Sequence, residues 1–296
     1  MAACLLMATL SVCAQTHEKD SLRVINLQEV EVISTRATGT TPVAFTNVSK
    51  EQLKKQNFGQ DLPYLLSMIP SAITTSDAGA GIGYTTLRIR GTDGTRINVT
   101  ANGIPINDAE SHTVFWVNLP DFASSVKDLQ VQRGAGTSTN GAGAFGGSIN
   151  VQTGDFSLKP YAEINASYGS FNTHKETVKV GTGLINEHWS FDVRLSNISS
   201  DGYIDRASVG LNSYYAQGGY YNDNTSVKLI TFGGKERTYH AWNYASKDQM
   251  AVFGRRFNSC GYMYIGDKSG GIHQPEIDYD YGVKAVSYTH LRAHET

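Results

Sequence analysis

Residues 107–116 (NDAESHTVFW) place Asp108, Glu110, His112, Phe115 and Trp116 on one short stretch. Its carboxylates and imidazole offer oxygen and nitrogen donors, and its rings offer flat apolar faces. That mixture suits recognition of a metal chelate or a polar organic ligand. Residues 76–84 (SDAGAGIGY) add Asp77 and Tyr84 in a second glycine-rich stretch. Farther along, Tyr203, Arg206, Lys235, Arg237, Tyr239, His240 and Trp242 fall in long polar segments of similar character. Taken singly, each of these reads more simply as a solvated loop side chain, so their weight depends on whether a fold gathers them.

Catalytic patterns are missing. No G-x-S-x-G, H-E-x-x-H or phosphate-loop sequence occurs, and scattered carboxylates carry no acid–base role without geometry. Residues 141–146 (GAGAFG) match G-x-G-x-x-G, yet a polar run precedes them and a strand-like run, 148–153, follows. A dinucleotide loop needs a strand before and a helix after, so that reading fails. Gly233-Gly234-Lys235 is followed by Glu236 and makes no phosphate loop. His290 and His294 have the spacing of helical metal ligands but stand at the chain end, and we assign no metal and no cofactor. The chain reads as a binding protein, not an enzyme.

The elements that must position these residues fall into parts. Five of the 7 prolines lie within residues 41–153, whereas 14 of the 16 tyrosines lie after residue 160. In the first part, Ser49 with Gln52 forms a capping box opening a helix over residues 50–57, and a second short helix fits 61–68. Alternation predicts a strand at 87–90, and further short strands are expected at 95–100, 126–132 and 148–153. Asp93-Gly94 and Asn102-Gly103 have the chemistry of hairpin turns. In the second part, Trp189, Phe191, Val193 and Leu195 alternate with Ser190, Asp192, Arg194 and Ser196, and 162–168 alternates likewise. Period-2 patterning puts the apolar groups on one face of a sheet. Short turns at 186–187 and 222–224, set against long polar stretches at 199–212 and 233–250, suit an outer-membrane barrel. A secreted, soluble β-sandwich binding module would show the same alternation, and both readings stand at this level.

Composition removes other classes. A formal charge of −2 lacks the basic excess of a nucleic-acid binder. After residue 14 no apolar run is long enough for a spanning helix. Residues 1–14 (MAACLLMATLSVCA) read as the apolar core of a signal peptide without its basic start. Cleavage after Ala14 would leave Cys260 alone, so no disulfide could form within the mature chain.

Residues 27–153 resemble the plug region of TonB-dependent outer-membrane receptors, in a style similar to those of Bacteroidetes. The resemblance rests on 27–37 (LQEVEVISTRA), 87–91 (LRIRG), 102–108 (NGIPIND), 126–134 (VKDLQVQRG) and 141–153 (GAGAFGGSINVQT), in that order. Residues 160–280 resemble the first strands of the receptor barrel. The implied fold is a mixed α/β plug domain followed by antiparallel transmembrane β-barrel strands, about 22 of them in the full-length family. The implied division is a signal peptide at 1–14, a periplasmic leader with a TonB box at 15–40, a plug at 41–153, barrel at 160–282 and an atypical tail at 283–296.

The resemblance also implies a role and partners. The protein would be exported to the outer membrane of a Gram-negative cell, sit in its lipid and be energised by the TonB–ExbB–ExbD complex. Its ligand would be a small molecule or metal chelate, foremost an iron–siderophore or other iron chelate, with haem, cobalamin or glycan as alternatives. Glu29, Val30, Glu31, Val32 and Ile33 would be the TonB box, an extended segment pairing edge-on with a partner strand, unless they are the plug's first strand. Arg90 and Arg133 resemble the plug arginines that pair with acidic residues on the barrel wall. The glycines of 141–146 would let the plug backbone approach that wall. The short spacer before the box disfavours the large glycan importers. Only 143 residues follow Thr153, room for about six strands, so the chain is expected to be the front of a longer receptor. Residues 286–296 abandon alternation and are expected to be foreign to it.

Overall fold

A computed structural model describes residues 36–136, 143–154, 157–222 and 225–260, and the backbone of 284–295. The expected signal peptide and TonB box lie outside the described residues.

The first half builds around one mixed sheet. Its strands are β1 (Ala44–Ser49), β4 (Ile97–Ala101), β5 (Ile104–Pro105), β6 (Val126–Arg133) and β7 (Gly147–Thr153). They lie in the order β1-β6-β7-β4-β5, antiparallel throughout except for the parallel pair β4 and β7. A separate ribbon pairs β2 (Ala72–Ser76) with β3 (Thr85–Ile89). Helix α1 (Lys50–Gln56) starts where its capping box directs: Ser49 Oγ accepts from Gln52 N at 3.3 Å, and Gln52 Oε1 accepts from Ser49 N at 2.8 Å. Helix α2 (Leu62–Leu65) is shorter than expected, because Pro63 favours its first turn and the chain tightens again at Leu66. Leu53, Leu66, Ile89, Leu129 and Ile149 fill the core between these layers.

One turn differs from expectation. Asp93-Gly94 does not join a hairpin: β3 pairs with β2, whereas β4 pairs with β5 and β7. The Asp93 carboxylate accepts from Thr95 N at 3.0 Å and caps a single 3-10 turn, which carries the chain from the ribbon to the main sheet. Asn102-Gly103, by contrast, closes β4 onto β5 with positive φ at both residues, as a type I′ hairpin requires.

The second half is an antiparallel meander in chain order. It comprises β8 (Tyr161–Gly169), β9 (Thr173–Gly181), β10 (Trp189–Ser200), β11 (Val209–Tyr221), β12 (Ser226–Tyr239) and β13 (Lys284–Glu295). The stretch expected to be atypical therefore contains a strand that pairs with β12 along its length. Strands β8 to β12 run from 9 to 14 residues, enough to cross a hydrocarbon layer that needs about 9–11. Two polar stretches expected to be loops are partly strand: β12 extends to Tyr239, and β11 begins at Val209. The connection at 170–172 is also short, although it lies at the same end as 201–208 and the segment after Tyr239.

The polarity of this sheet separates the two readings. On β10 the apolar set faces out, Leu195 being 58% exposed, and the polar set is buried, Arg194 being 4% exposed. A sandwich strand would bury Trp189, Phe191, Val193 and Leu195 against a second sheet. Here they form an outer band with Ile164, Val178, Val180 and Leu229, while Lys175, Thr177, Ser190 and Ser196 point at the first half of the chain. Apolar out and polar in is the arrangement of a strand wall in lipid. Trp189, Phe191 and Tyr220 cluster at the short-turn end, with ring centroids 4.9 to 6.2 Å apart, where an interfacial aromatic girdle belongs. In the complete receptor in lipid, a fluorophore on Leu195→Cys should be quenched strongly by brominated acyl chains and one on Ser196→Cys weakly. Equal quenching would remove the wall assignment.

Candidate functional site

The first half sits against the inner face of the wall, and its firmest attachment is one carboxylate. Asp121 follows Pro120 in left-handed backbone, φ 51°, which turns its side chain toward the strands. Asp121 Oδ1 accepts from Lys175 Nζ at 2.6 Å and from Ser124 Oγ at 2.6 Å. Asp121 Oδ2 accepts from Thr177 Oγ1 at 3.0 Å and Ser196 Oγ at 2.7 Å, with Arg194 Nη1 at 3.6 Å. Arg194 also donates to the Asp121 carbonyl, and Asn57 joins through Lys175 Nζ at 2.9 Å. Burial alone would raise this carboxyl, but the charges of Arg194 and Lys175 and the hydrogen bonds outweigh it. They hold it well below the usual carboxylate range. The node therefore stays ionised at every physiological pH.

Composition hinted at half of this node. Period-2 alternation put Arg194 on the polar face, and a buried cation needs a counter-charge. Nothing local to Asp121 marked it as the partner, because the contact spans 54 residues to Lys175 and 73 to Arg194.

The two arginines singled out from the sequence sit elsewhere. Arg133 Nη1 donates to Thr46 Oγ1 at 2.9 Å inside the sheet. The Arg90 guanidinium lies against Gly134, and among the described residues neither arginine meets a wall carboxylate. Glycine roles also move. A Cβ on Gly146 would meet Thr92 and one on Gly147 the Gln132 carbonyl, so these glycines serve contacts within the first half. Glycines that approach the wall include Gly79, where a Cβ would meet Tyr203 at 3.0 Å, and Gly83, where one would meet Val209 at 3.2 Å.

Gly79 and Gly83 belong to the loop that carries two of the ligand candidates. Its backbone docks on the loop after β10, the Ala78 carbonyl accepting from Tyr203 N at 2.8 Å and Ile204 N at 3.1 Å. Asp77 and Tyr84 thereby reach the segment after β12 at the long-loop end. Tyr244 donates to Asp77 Oδ1 at 3.1 Å, and Tyr84 packs edge-on against His240 and Trp242 at 5.3 and 6.0 Å. Burial raises the Asp77 carboxyl and lowers the His240 imidazole.

The other candidates divide. Asp108 accepts from Ser111 N at 2.7 Å, Ser111 Oγ at 2.8 Å and Glu110 N at 3.1 Å, so it holds its own turn together. The backbone and side-chain bonds from Ser111 keep it below the usual carboxylate range. Trp116 is 5% exposed and belongs to the core, while its neighbour Phe115 is 44% exposed. Glu110, His112 and Phe115 lie on the surface of that turn and do not join the cluster around Asp77. Lys235 and Arg237 sit on β12 facing away from Glu236, which points inward. No group of three metal-ligating side chains occurs among the described residues.

Two further polar contacts matter. The Gln130 amide holds Ala37 by both backbone groups, at 2.7 and 2.9 Å, and Arg36 pairs with Asp128 at 2.5 Å. Both side chains lie on β6, so the segment entering from the leader is tied to the central sheet. Asp61 is buried and accepts from Thr85 Oγ1 at 2.9 Å; burial, against that bond and the Gly83 N–H, pushes it up to about 8.

Comparison with known proteins agrees with this geometry. A sequence profile described as TonB-dependent Receptor Plug Domain matches residues 37–148. The structure resembles the siderophore receptor PirA from Acinetobacter baumannii, with TM-score 0.53, 16% identity and coverage of 82% of this chain and 43% of that one. It also resembles FpvA of P. aeruginosa bound to heterologous pyoverdines, with TM-score 0.60, 14% identity and coverage of 85% and 31%. The copper transporter OprC gives TM-score 0.55, 18% identity and coverage of 67% and 31%. The chain thus spans less than half the length of these structures.

Two outcomes follow from the buried carboxylates. Asp121→Leu leaves Lys175 and Arg194 buried without their anion, costing about 3–5 kcal/mol. In the complete receptor it should speed hydrogen exchange through residues 121–125 while strand exchange is unchanged. Adding Lys175→Met and Arg194→Met should recover most of the loss. For Asp61, folded and unfolded chains are both protonated below about pH 4. Between there and about 8 the folded chain keeps a proton the unfolded chain releases, so stability falls as pH rises. Asp61→Asn should melt with the wild type at low pH and above it at alkaline pH; parallel melting curves would refute the buried protonated carboxyl.

A docked mixed α/β unit with its own core, a strand wall of inverted polarity and the profile match converge on one assignment. Residues 37–148 are a TonB-dependent receptor plug domain, and the sheet after it is the first part of the antiparallel β-barrel of that outer-membrane receptor fold.

Proposed function

We propose that this chain forms the N-terminal part of an energy-coupled outer-membrane importer for a scarce small ligand. The observation that carries this reading is the plug held against the polar inner face of a lipid-facing wall by the Asp121 node. Such a plug blocks passage until work is done on it. In this reading the long-loop end faces outward and presents Asp77 and Tyr84. The segment at 29–33 engages TonB, energised by ExbB–ExbD, by strand addition. Tension on that segment reaches Arg36 and Ala37 and passes through Asp128 and Gln130 into β6, an inner strand of the plug's main sheet.

A metal chelate is the ligand class this reading favours, foremost an iron–siderophore. PirA and FpvA are described as a siderophore receptor and a pyoverdine-bound receptor, and OprC as a copper transporter. Haem, cobalamin and glycan are the competing ligands. Deleting residues 28–33 from the complete receptor should abolish energy-dependent uptake and leave ligand binding at the cell surface intact. Uptake at the wild-type rate would sink the pulling mechanism.

A further inference from the structure

The cluster around Asp77 has a chemistry of its own. It joins the plug loop at 76–84 to the segment after β12, so it assembles only when plug and wall are docked. The Asp77 carboxylate is half-buried and takes the Tyr244 hydroxyl on one oxygen. Around it stand the rings of Tyr84, His240 and Trp242, the last two with centroids 3.5 Å apart. His240 is 8% exposed, and neither ring nitrogen has a hydrogen-bond partner among the described residues. A buried imidazole without partners is costly, and it marks a place where a ligand group would complete the bonding.

Two carboxylates act on this cluster among the described residues. Asp77 lies in the cluster, and Glu236, inward-facing on β12, acts on Tyr84 from below. Two of the cations at this end are turned to other work: Arg256 pairs with Asp205 at 3.0 Å, and Arg206 donates to the Asn258 carbonyl at 2.6 Å. Lys235 and Arg237 occupy the outward face of β12. Arg88 reaches Tyr244 electrostatically but does not act on Asp77. Ring faces around a carboxylate attract a cation and repel an anion.

Resting on the importer reading above, we infer that this cluster selects ligands carrying a positive charge, such as an ammonium, a guanidinium or a net-cationic metal chelate. Asp77 supplies the counter-charge, Tyr84 and Trp242 the ring faces, and His240 a hydrogen bond to a neighbouring polar group. An anionic chelate of the same size is disfavoured at the same place.

The test uses the complete receptor in detergent, with tryptophan fluorescence read as the difference from Trp242→Phe. Ferrioxamine B carries a free ammonium, its N-acetyl derivative is neutral there, and its N-succinyl derivative is anionic. Tetramethylammonium serves as a chelate-free cation. Tetramethylammonium should protect Trp242 from acrylamide, and ferrioxamine B should bind about tenfold tighter than the succinyl form. Asp77→Asn, checked for folding by heat-modifiable migration, should abolish the protection and remove most of the tenfold preference. An anion preference, or protection unaltered by Asp77→Asn, overturns the inference. The importer reading fails separately, if cells carrying the receptor take up no metal chelate by an energy-dependent route while tetramethylammonium still protects Trp242.

Discussion

A carboxylate with no solvent access is stable only where its charge is answered, and Asp121 is answered from the wall. The pairing is mutual: Lys175 and Arg194 could not occupy the inner face of the sheet without an anion from the plug. Their strands turn an apolar band the other way, so neither cation can turn outward without entering apolar surroundings. The rest of the architecture depends on this constraint. Once the apolar faces of β8 to β12 turn outward, the inner face is polar, and a buried polar face must be filled with partners. The plug supplies them through Asp121, Asn57 and Ser124, with Lys54 on Glu163 and the Ser124 carbonyl on Lys179 at 2.6 Å.

An interface built this way is specific without being permanently fixed. Apolar contact between plug and wall is confined to patches, such as Phe122 on Phe232 and Ile82 with Ile198, Val209 and Leu211. Much of the remainder is hydrogen-bonded, and water can replace such bonds at modest net cost when the surfaces part. The Asp121 node differs, since parting the surfaces there would leave buried charge without its partner.

Much of the plug was legible locally. The Ser49–Gln52 box, the Asn102-Gly103 turn and the strands β6 and β7 each depend on neighbours in sequence, and each appears as read. Asp93-Gly94 misled because the same dipeptide serves a hairpin or a capped 3-10 turn, and the choice lay with the pairing partners of β3 and β4. The candidate site was legible only in part. Asp108 and Trp116 have the side chains of ligand contacts, yet a turn and a core use them. Asp77 and Tyr84 acquire neighbours only through a wall segment more than 150 residues away.

Sequence by itself determined the periods, the caps and the lack of a later apolar run long enough for a spanning helix, because these are properties of short stretches. It also determined that one face of each wall strand is apolar. Whether that face turns outward or packs on another sheet was decided only by tertiary structure, because alternation is identical in both cases and the difference lies in what fills the other face. Asp121, carried by no recognisable motif, supplies that filling charge, and its partners are reached only when the chain folds back across the wall.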